Sequence, residues 1–503
     1  MSPLTRIVLP APERLTADLV VVGLCEEDPV ETDGLPAALA KTVGEGIRRA
    51  RYRAQRDRVL HLTAADGRRR IAVLGAGPSR ELDRRRFSAW LGKALQLGQE
   101  QRATRIGIVL PAHDEARGPA AAFRTLVRLA LSGYRFEAYK GEDDGRPARA
   151  VQLVPPRDAA ADYRAERAAA TAAAEGVALA RDLGNTPPNV ATPDWIAGRA
   201  RSIARGGGMK ATVLAPAELR KMGMGGLVAV GSGSTHSPRL VRLDWGRRGP
   251  TVALVGKGVT FDTGGISIKP AGDMDEMKYD KCGACNVLGV AQAVARLALP
   301  VRLRCYLPLA ENMPSGTAYR PGDIVRCYND KTVEITNTDA EGRLILADAI
   351  ALAIEDRPDY LIEMSTLTGG AVVALGERAA ALYCPEDAMA AALLASADDS
   401  GERLWRMPLW PEFVEEMKGH HADLKNSAGR WGSACTAAAF LSQFVDGHPR
   451  WAHLDIAGPA ISARPRQATG YGVALVVRWL RAVAAAGDGS RSNGDAPARR
   501  SGR

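Results

Sequence analysis

Long hydrophobic runs are missing from this chain of 503 residues. No apolar stretch reaches the roughly 18 residues needed to cross a bilayer, so no membrane span is expected. Cysteine is scarce and odd in number, seven in all, which excludes a disulfide scaffold. Histidine also occurs only seven times, and neither an H-E-x-x-H zinc motif nor a G-x-S-x-G nucleophile elbow is present. Aromatic residues make up 5%, with no zinc-finger or RNA-recognition pattern among them. The opening residues, Met1-Ser-Pro-Leu-Thr-Arg-Ile7, lack a charged segment followed by an apolar one. No secretion signal is expected, and a reducing, cytoplasmic setting fits best.

Hydrophobic residues account for 46% and charged residues for 25%, enough to bury a large core and to exclude wholesale disorder. At roughly 150 residues per domain the length suggests two to four domains. The formal charge is +10, and its densest region is residues 47–86, with 13 arginines against four acids, Asp57, Asp66, Glu81 and Asp83. Such a patch could hold nucleic-acid phosphates by counterion release, or be a solvated helix face. A DNA-binding regulatory role for the first domain therefore stands as the alternative functional reading, with DNA as a possible partner.

The apolar pattern alternates short strands with helices, which predicts an α/β fold. Strands are expected at Leu19–Gly23, Ile71–Gly75 and Arg105–Leu110, with helices over 35–55 and 86–104 between them. An Ala-rich helix, Tyr163–Leu183, ends at the breaker cluster Gly184-Asn-Thr-Pro-Pro188. Further strands are expected at Gly226–Val230, Arg239–Leu243, Val252–Val255, Val301–Tyr306, Tyr360–Met364 and His453–Ile456, and helices at Ala284–Leu299, Leu344–Glu355 and Val473–Ala486. Near-continuous apolar strands suit a mixed, mainly parallel sheet flanked by helices. The expected organisation is a smaller, Arg-rich α/β domain over 1–162, a linking helix and loop over 163–189, a larger domain over 190–486 and a tail over 487–503 without a core pattern.

Two segments combine glycine with acids in a way that an ordinary structural loop does not need. One runs from Val255-Gly-Lys-Gly-Val-Thr-Phe-Asp262 to Asp280; the other is Asn337-Thr-Asp-Ala-Glu-Gly-Arg343. If the fold gathers Asp262, Asp280, Asp339 and Glu341, four negative charges meet, which is unfavourable unless cations sit among them. All-oxygen donors suit Mg, Mn or Zn. Asp339 and Glu341 are two apart, so an extended loop would direct both to one side. A pair of bridged divalent ions would lower the pKa of a water and polarise a carbonyl. Elsewhere, Cys282-Gly-Ala-Cys285 opens an apolar helix without a second cysteine pair and reads as two buried thiols.

These strings resemble the signatures of the leucyl aminopeptidase family, the cytosol aminopeptidases, which are two-metal exopeptidases. Asn337-Thr-Asp-Ala-Glu-Gly-Arg-Leu344 is the most specific of them. Similar matches are Asp182–Asn189, Glu311-Asn-Met-Pro-Ser-Gly316, Tyr319–Ile324, Thr366-Leu-Thr-Gly369, Ala422-Asp-Leu-Lys-Asn-Ser427 and His453-Leu-Asp-Ile-Ala-Gly458, spanning about 180–485. The resemblance implies two divalent metal ions per subunit, Mn or Zn foremost, Mg or Co otherwise. Asp262 and Glu341 would bridge them, Asp339 would complete one site, and Lys257 and Asp280 the other. Lys269 and Arg343 would be catalytic without binding metal, with a bicarbonate held by Arg343 as general base. It further implies peptide substrates with leucine-like N-termini and a homohexamer. Met277, Thr366, Leu367 and Gly369 are the candidates for the substrate pocket. A lysine ligand must be a neutral amine, and two dications would supply the downward pKa shift this needs.

Overall fold

The structure, a computed structural model, describes residues 4–27, 35–141 and 150–489. A tail is expected from 487, but the last helix runs Val473–Gly489, and the rest of the expected tail, from 490 onward, lies outside the described residues. The chain divides into two compact units between Ala174 and Glu175, inside the long helix Ala160–Asn185. No helix among the described residues is long and apolar enough to cross a membrane.

The first unit is a six-stranded sheet built from β1 (Arg6–Val8), β2 (Leu19–Leu24), β3 (Val59–Thr63), β4 (Arg70–Gly75), β5 (Arg105–Val109) and β6 (Ala150–Val154). Their spatial order is β1-β6-β5-β2-β4-β3, parallel throughout except for the β3 edge. Val20, Val22, Ile71 and Val73 of the central strands are buried, as continuous apolar strands between helical layers must be. Helices Ala37–Ala50, Arg84–Glu100 and Gly118–Leu131 belong to this unit. Asp83 caps the second of them by accepting the Arg86 N–H.

The second unit carries β7 (Lys210–Leu214), β8 (Arg239–Trp245), β9 (Thr251–Gly256), β10 (Gly258–Asp262), β11 (Arg302–Asn312), β12 (Ile324–Arg326), β13 (Thr332–Glu334), β14 (Tyr360–Ser365), β15 (Ala380–Tyr383), β16 (Leu404–Arg406), β17 (Leu424–Lys425) and β18 (Trp451–Asp455). A hairpin, β19 (Ile461–Ala463) and β20 (Arg466–Ala468), follows. The main sheet is ordered β16-β15-β18-β14-β9-β11-β8-β7, and its centre, β18-β14-β9-β11, is parallel. β10 pairs in parallel with the second half of β11, so this long strand serves two neighbours in turn. The helices Cys282–Leu297 and Gly342–Glu355 both pack on β9 and β11, and most of their residues are buried. The mixed, mainly parallel α/β architecture is thus the one the apolar pattern predicts.

One strand expectation fails. Gly225–Val230 is a short helix. A four- or five-residue apolar run has no period that separates strand from buried helix. What decides here is tertiary: the Leu227 N–H reaches 2.8 Å to Asp348 Oδ2, and Gly226 lies so close to the Leu344 carbonyl that a Cβ would sit 2.4 Å from it. The carboxylate thus meets the positive end of the short helix.

Asp348 also accepts the Tyr328 N–H at 2.8 Å, and burial pushes its carboxyl up to about 7 against the pull of these backbone donors. Replacing Asp348 with Ala orphans buried N–H groups and is expected to destabilise the fold by about 2–5 kcal/mol. Because the folded pKa lies above the unfolded value near 4, this carboxyl's contribution is full at low pH and declines as pH rises through about 7. The stability gap between wild type and D348A, measured by urea denaturation, should therefore be wider at pH 5 than at pH 8.

Candidate metal centre and active site

The carboxyl ends of the central strands place the site, as they do in open α/β sheets. Lys257 follows β9, Asp262 ends β10, Asn312 ends β11, Thr366 follows β14 and Asp455 ends β18. Asp280 stands just before the helix Cys282–Leu297, and Glu341 just before Gly342–Glu355. Gly342 makes room for the lysine, since a Cβ there would come within 2.5 Å of the Lys257 side chain. Gly264 turns the chain after Asp262 with φ +87, a conformation open to glycine and strained for other residues.

Asp262, Asp280 and Glu341 are buried, and each offers one carboxylate oxygen to a triad in which the three atoms lie within 4.8 Å of one another. Lys257 Nζ sits 2.8 Å from both Asp280 Oδ2 and Glu341 Oε1. Lys269 Nζ lies 2.8 Å from Asp262 Oδ2 and also meets Asp339. The cluster therefore has two halves, each with a lysine between two acids. Asp280 Oδ2 and Glu341 Oε1 share the one ammonium group of Lys257 as their only close cation among the described residues. Buried carboxylate oxygens converging from three chain segments suit a divalent cation.

The electrostatics follow from burial. Desolvation raises Asp262 to about 6 and Asp280 to about 8, and the neighbouring carboxylates add to the rise. Asp339 rises for the same reason, with Lys269 opposing. Burial would raise Glu341 too, but Lys257 and Lys269 hold it below its ordinary value. Burial opposes the charge on Lys257, yet Asp280, Glu341 and Asp262 together hold it well above the usual amine range. The carboxylates thus keep this amine charged against burial, and making it a neutral ligand takes the field of nearby dications in addition.

A cavity of about 420 Å³ opens on this cluster. Lys257, Asp262, Lys269, Asp280, Asp339 and Glu341 line it, and so do Met277, Thr366, Leu367 and Gly369. Arg343 is not among the lining residues: it is buried at the start of its helix and donates from Nη1 to the Asn426 carbonyl at 2.8 Å. Burial lowers its pKa to about 10 against the pull of Glu341 and Asp455. The loop before it is not extended, because Glu341 already has helical φ and ψ of −77 and −39. Asp339 and Glu341 therefore reach the cavity from a turn leading into a helix, and the two-residue spacing is not what aligns them. Cys282 and Cys285 are buried free thiols whose pKa values burial raises, Cys285 to about 12.

Four positioning residues carry no mark in a search for charged clusters. Asn312 Nδ2 donates to Asp262 Oδ1 at 2.8 Å and to the Thr338 carbonyl at 3.0 Å. Thr338 Oγ1 donates to the Gly264 carbonyl at 2.6 Å. Asn426 Oδ1 accepts the Thr336 and Asn337 N–H groups, and its Nδ2 donates to the Asn337 carbonyl. Asp455 accepts from the Leu367 N–H and the Thr368 hydroxyl. That segment in turn holds the other half of the cluster: Thr366 Oγ1 donates to Asp280 Oδ1 at 2.7 Å, and the Thr366 carbonyl accepts from Lys257 Nζ at 3.0 Å. All four lie within the motif strings noted above, which was the available signal.

A buried oxygen-donor set facing an open cavity at the strand ends is the site of a metal-dependent hydrolase. The sequence profile of the cytosol aminopeptidase family, catalytic domain, matches residues 178–477, and that of the family's N-terminal domain matches 21–143. The chain is 41% identical over 484 residues to a protein of Roseiflexus castenholzii named "Probable cytosol aminopeptidase", covering 93% of this chain and 97% of that protein. It is similarly 41% identical over 486 residues to one of the same name from Dechloromonas aromatica, covering 93% and 97%. Among solved structures it resembles the bottromycin maturation enzyme BotP in complex with Mn, with 36% identity, TM-score 0.80, and 93% and 100% of the two chains covered. It also resembles a mutant of tomato leucine aminopeptidase, with 29% identity, TM-score 0.82, and 96% and 97% covered. The chain belongs to the cytosol aminopeptidase family and is a metal-dependent aminopeptidase. The DNA-binding alternative finds no support in these comparisons, and part of the arginine patch is already paired: Arg56 and Arg86 with Glu81, Arg69 with Asp66.

Removing the Asn312 side chain leaves Asp262 Oδ1 with the Gly264 N–H as its one remaining donor and loosens the carboxylate. N312A is expected to bind Mn about 10- to 100-fold more weakly, read by titrating metal-stripped protein that circular dichroism shows to be folded.

Proposed function

We propose that this enzyme releases leucine-like N-terminal residues from peptides, using two divalent ions held by Lys257, Asp262, Asp280, Asp339 and Glu341. The observation that carries this reading is the convergence of three buried carboxylate oxygens and two lysines on one cavity with an apolar wall. Asp262 and Glu341, one from each half of the cluster, would hold both ions as the family resemblance implies, with Asp339 completing one site and Lys257 and Asp280 the other. Manganese or zinc is the proposed ion, magnesium or cobalt the alternative; the manganese bound by BotP favours the first. The ions, when bound, supply Lewis-acid polarisation of the scissile carbonyl and a water of lowered pKa.

The remaining steps fall to the chain itself. Lys269, charged and only partly exposed, stabilises negative charge that develops on the carbonyl oxygen. Met277, Thr366, Leu367 and Gly369 receive the N-terminal side chain. Arg343 is the proposed anchor for a bicarbonate that acts as general base, with its Nε free of hydrogen-bond partners. A homohexamer in the cytoplasm belongs to the same reading and rests on the family and its naming as cytosol aminopeptidases.

Asp339→Asn should lower kcat on leucine p-nitroanilide by at least about 100-fold without loss of the fold, the scale expected when one ligand of a catalytic ion is lost. A chelator should abolish wild-type turnover, and added Mn or Zn should restore it. Retained turnover in D339N or in metal-stripped protein would overturn the assignment.

A further inference from the structure

The carboxyl ends of β14 and β18 carry a layer of buried charge that the metal centre does not use. Glu363 and His453 are register partners on these strands, and both are fully buried. His453 Nδ1 meets Glu363 Oε2. Two residues further along the same strands, Ser365 and Asp455 are again partners, and the strand period puts all four side chains on one face. Tyr383 of β15 closes the layer: its ring stacks on His453 at 5.5 Å between centroids, and its hydroxyl donates to Cys435 Sγ at 3.7 Å. Arg343 adjoins the layer, close enough that Asp455 favours its charge and that it opposes a proton on His453. Ser365 Oγ, His453 Nε2 and Arg343 Nε are buried polar atoms without a hydrogen-bond partner. A layer needed for packing alone would be as stable with apolar side chains, because burying an ion pair costs about what it returns.

We propose that the Glu363–His453 pair is a positioning device for Arg343: the imidazolium stands beside Asp455 and keeps that carboxylate from drawing in the guanidinium, which stays available to bicarbonate. This rests on the anchoring role given to Arg343 above and assigns the residues that sustain it. The argument is one of two cations in the field of one carboxylate. Burial opposes a proton on His453, but Glu363 and Asp455 hold it above the ordinary imidazole range. The Asp455 oxygens already accept from the Leu367 and Ala457 N–H groups and the Thr368 hydroxyl, and Arg343 is tied at its other end, through Nη1, to the Asn426 carbonyl. Without the imidazolium, Arg343 becomes the cation that answers Asp455. Its charge is then matched inside the layer, and an incoming anion is held less tightly.

Isothermal titration of bicarbonate into the Mn-loaded protein reads this directly. Glu363→Gln keeps the side chain's shape but removes the charge that holds the imidazolium. Bicarbonate should bind about tenfold more weakly, and the concentration giving half-maximal turnover of leucine p-nitroanilide should rise in step. His453→Asn should do the same, and the double variant no more than either single one. Glu363→Asp shortens the side chain but keeps the charge, and should stay near the wild type. Packing alone predicts the reverse order, because the isosteric Gln disturbs a buried layer less than the shorter Asp. Wild-type affinity in E363Q and H453N, a larger loss in E363D than in E363Q, or failure of both uncharged variants to fold overturns the proposal. A wild type that binds no bicarbonate overturns instead the anchoring role of Arg343, and the proposal falls with it.

Discussion

Charge compensation among buried side chains is the constraint on which the catalytic unit depends. Asp262, Asp280 and Glu341 are each less than one-tenth exposed, yet their oxygens share a space under 5 Å across. Carboxylates at that separation in a low-dielectric interior repel one another too strongly to stay ionised without cations. Lys257 and Lys269 provide part of the answer, each between two acids. Two ammonium groups stand against three buried carboxylates and one partly buried one, and burial, with the neighbouring carboxylates adding, holds Asp262 and Asp280 above their ordinary range. The residual demand for positive charge is the physical basis of metal dependence here.

The surrounding polar network gives that demand a geometry. Asp262 has one oxygen held by Asn312 and the Gly264 N–H, and the other directed toward Lys269. Asp280 repeats the arrangement, with Thr366 on one oxygen and Lys257 on the other. In both cases a neutral donor fixes the carboxylate without cancelling its charge, and one oxygen stays directed at the cluster. The neutral donors are themselves anchored. Asn312 is tied to the Thr338 carbonyl, and the Thr366–Thr368 segment is clamped by Asp455. Asn426 bridges the backbone on either side of Asn337, so the segment bearing Asp339 and Glu341 is held by a residue just after β17, remote in sequence.

How much of this was legible in the sequence depended on what each residue had to announce itself with. The central strands β2, β4, β9, β14 and β18 are short apolar runs, buried on both faces, and their positions could be read directly. Edge and accessory strands such as β1, β3, β7 and β12 are short or partly polar, stabilised by neighbours that a local pattern does not contain. Gly226–Val230 misled because its helix is decided by Asp348, more than a hundred residues away. The acids and lysines of the cluster stood out through their glycine-rich settings. Asn312, Thr338 and Asn426 are uncharged, and Asp455 lies in a strand, so none of them differs locally from an ordinary buried polar residue. The spacing argument for Asp339 and Glu341 named two residues that both line the cavity, but it rested on an extended loop where the structure has a turn into a helix.

The order of the strands explains why the cluster is a property of the finished unit rather than of any segment. Lys257 and Glu341, whose side chains are 2.8 Å apart, follow β9 and precede the Gly342–Glu355 helix, with β10, the Cys282–Leu297 helix and β11 between them in the chain. Asp455 arrives later still, on β18, and the hairpin that carries Arg466 comes after it. Each parallel neighbour requires a crossover, so no two adjacent central strands can form the site through a local hairpin. Loop closure over such distances must precede the contacts that reward it. A partly folded chain therefore has the acids without the lysine that answers them, and the positive charge the cluster requires is assembled by the same packing that buries it.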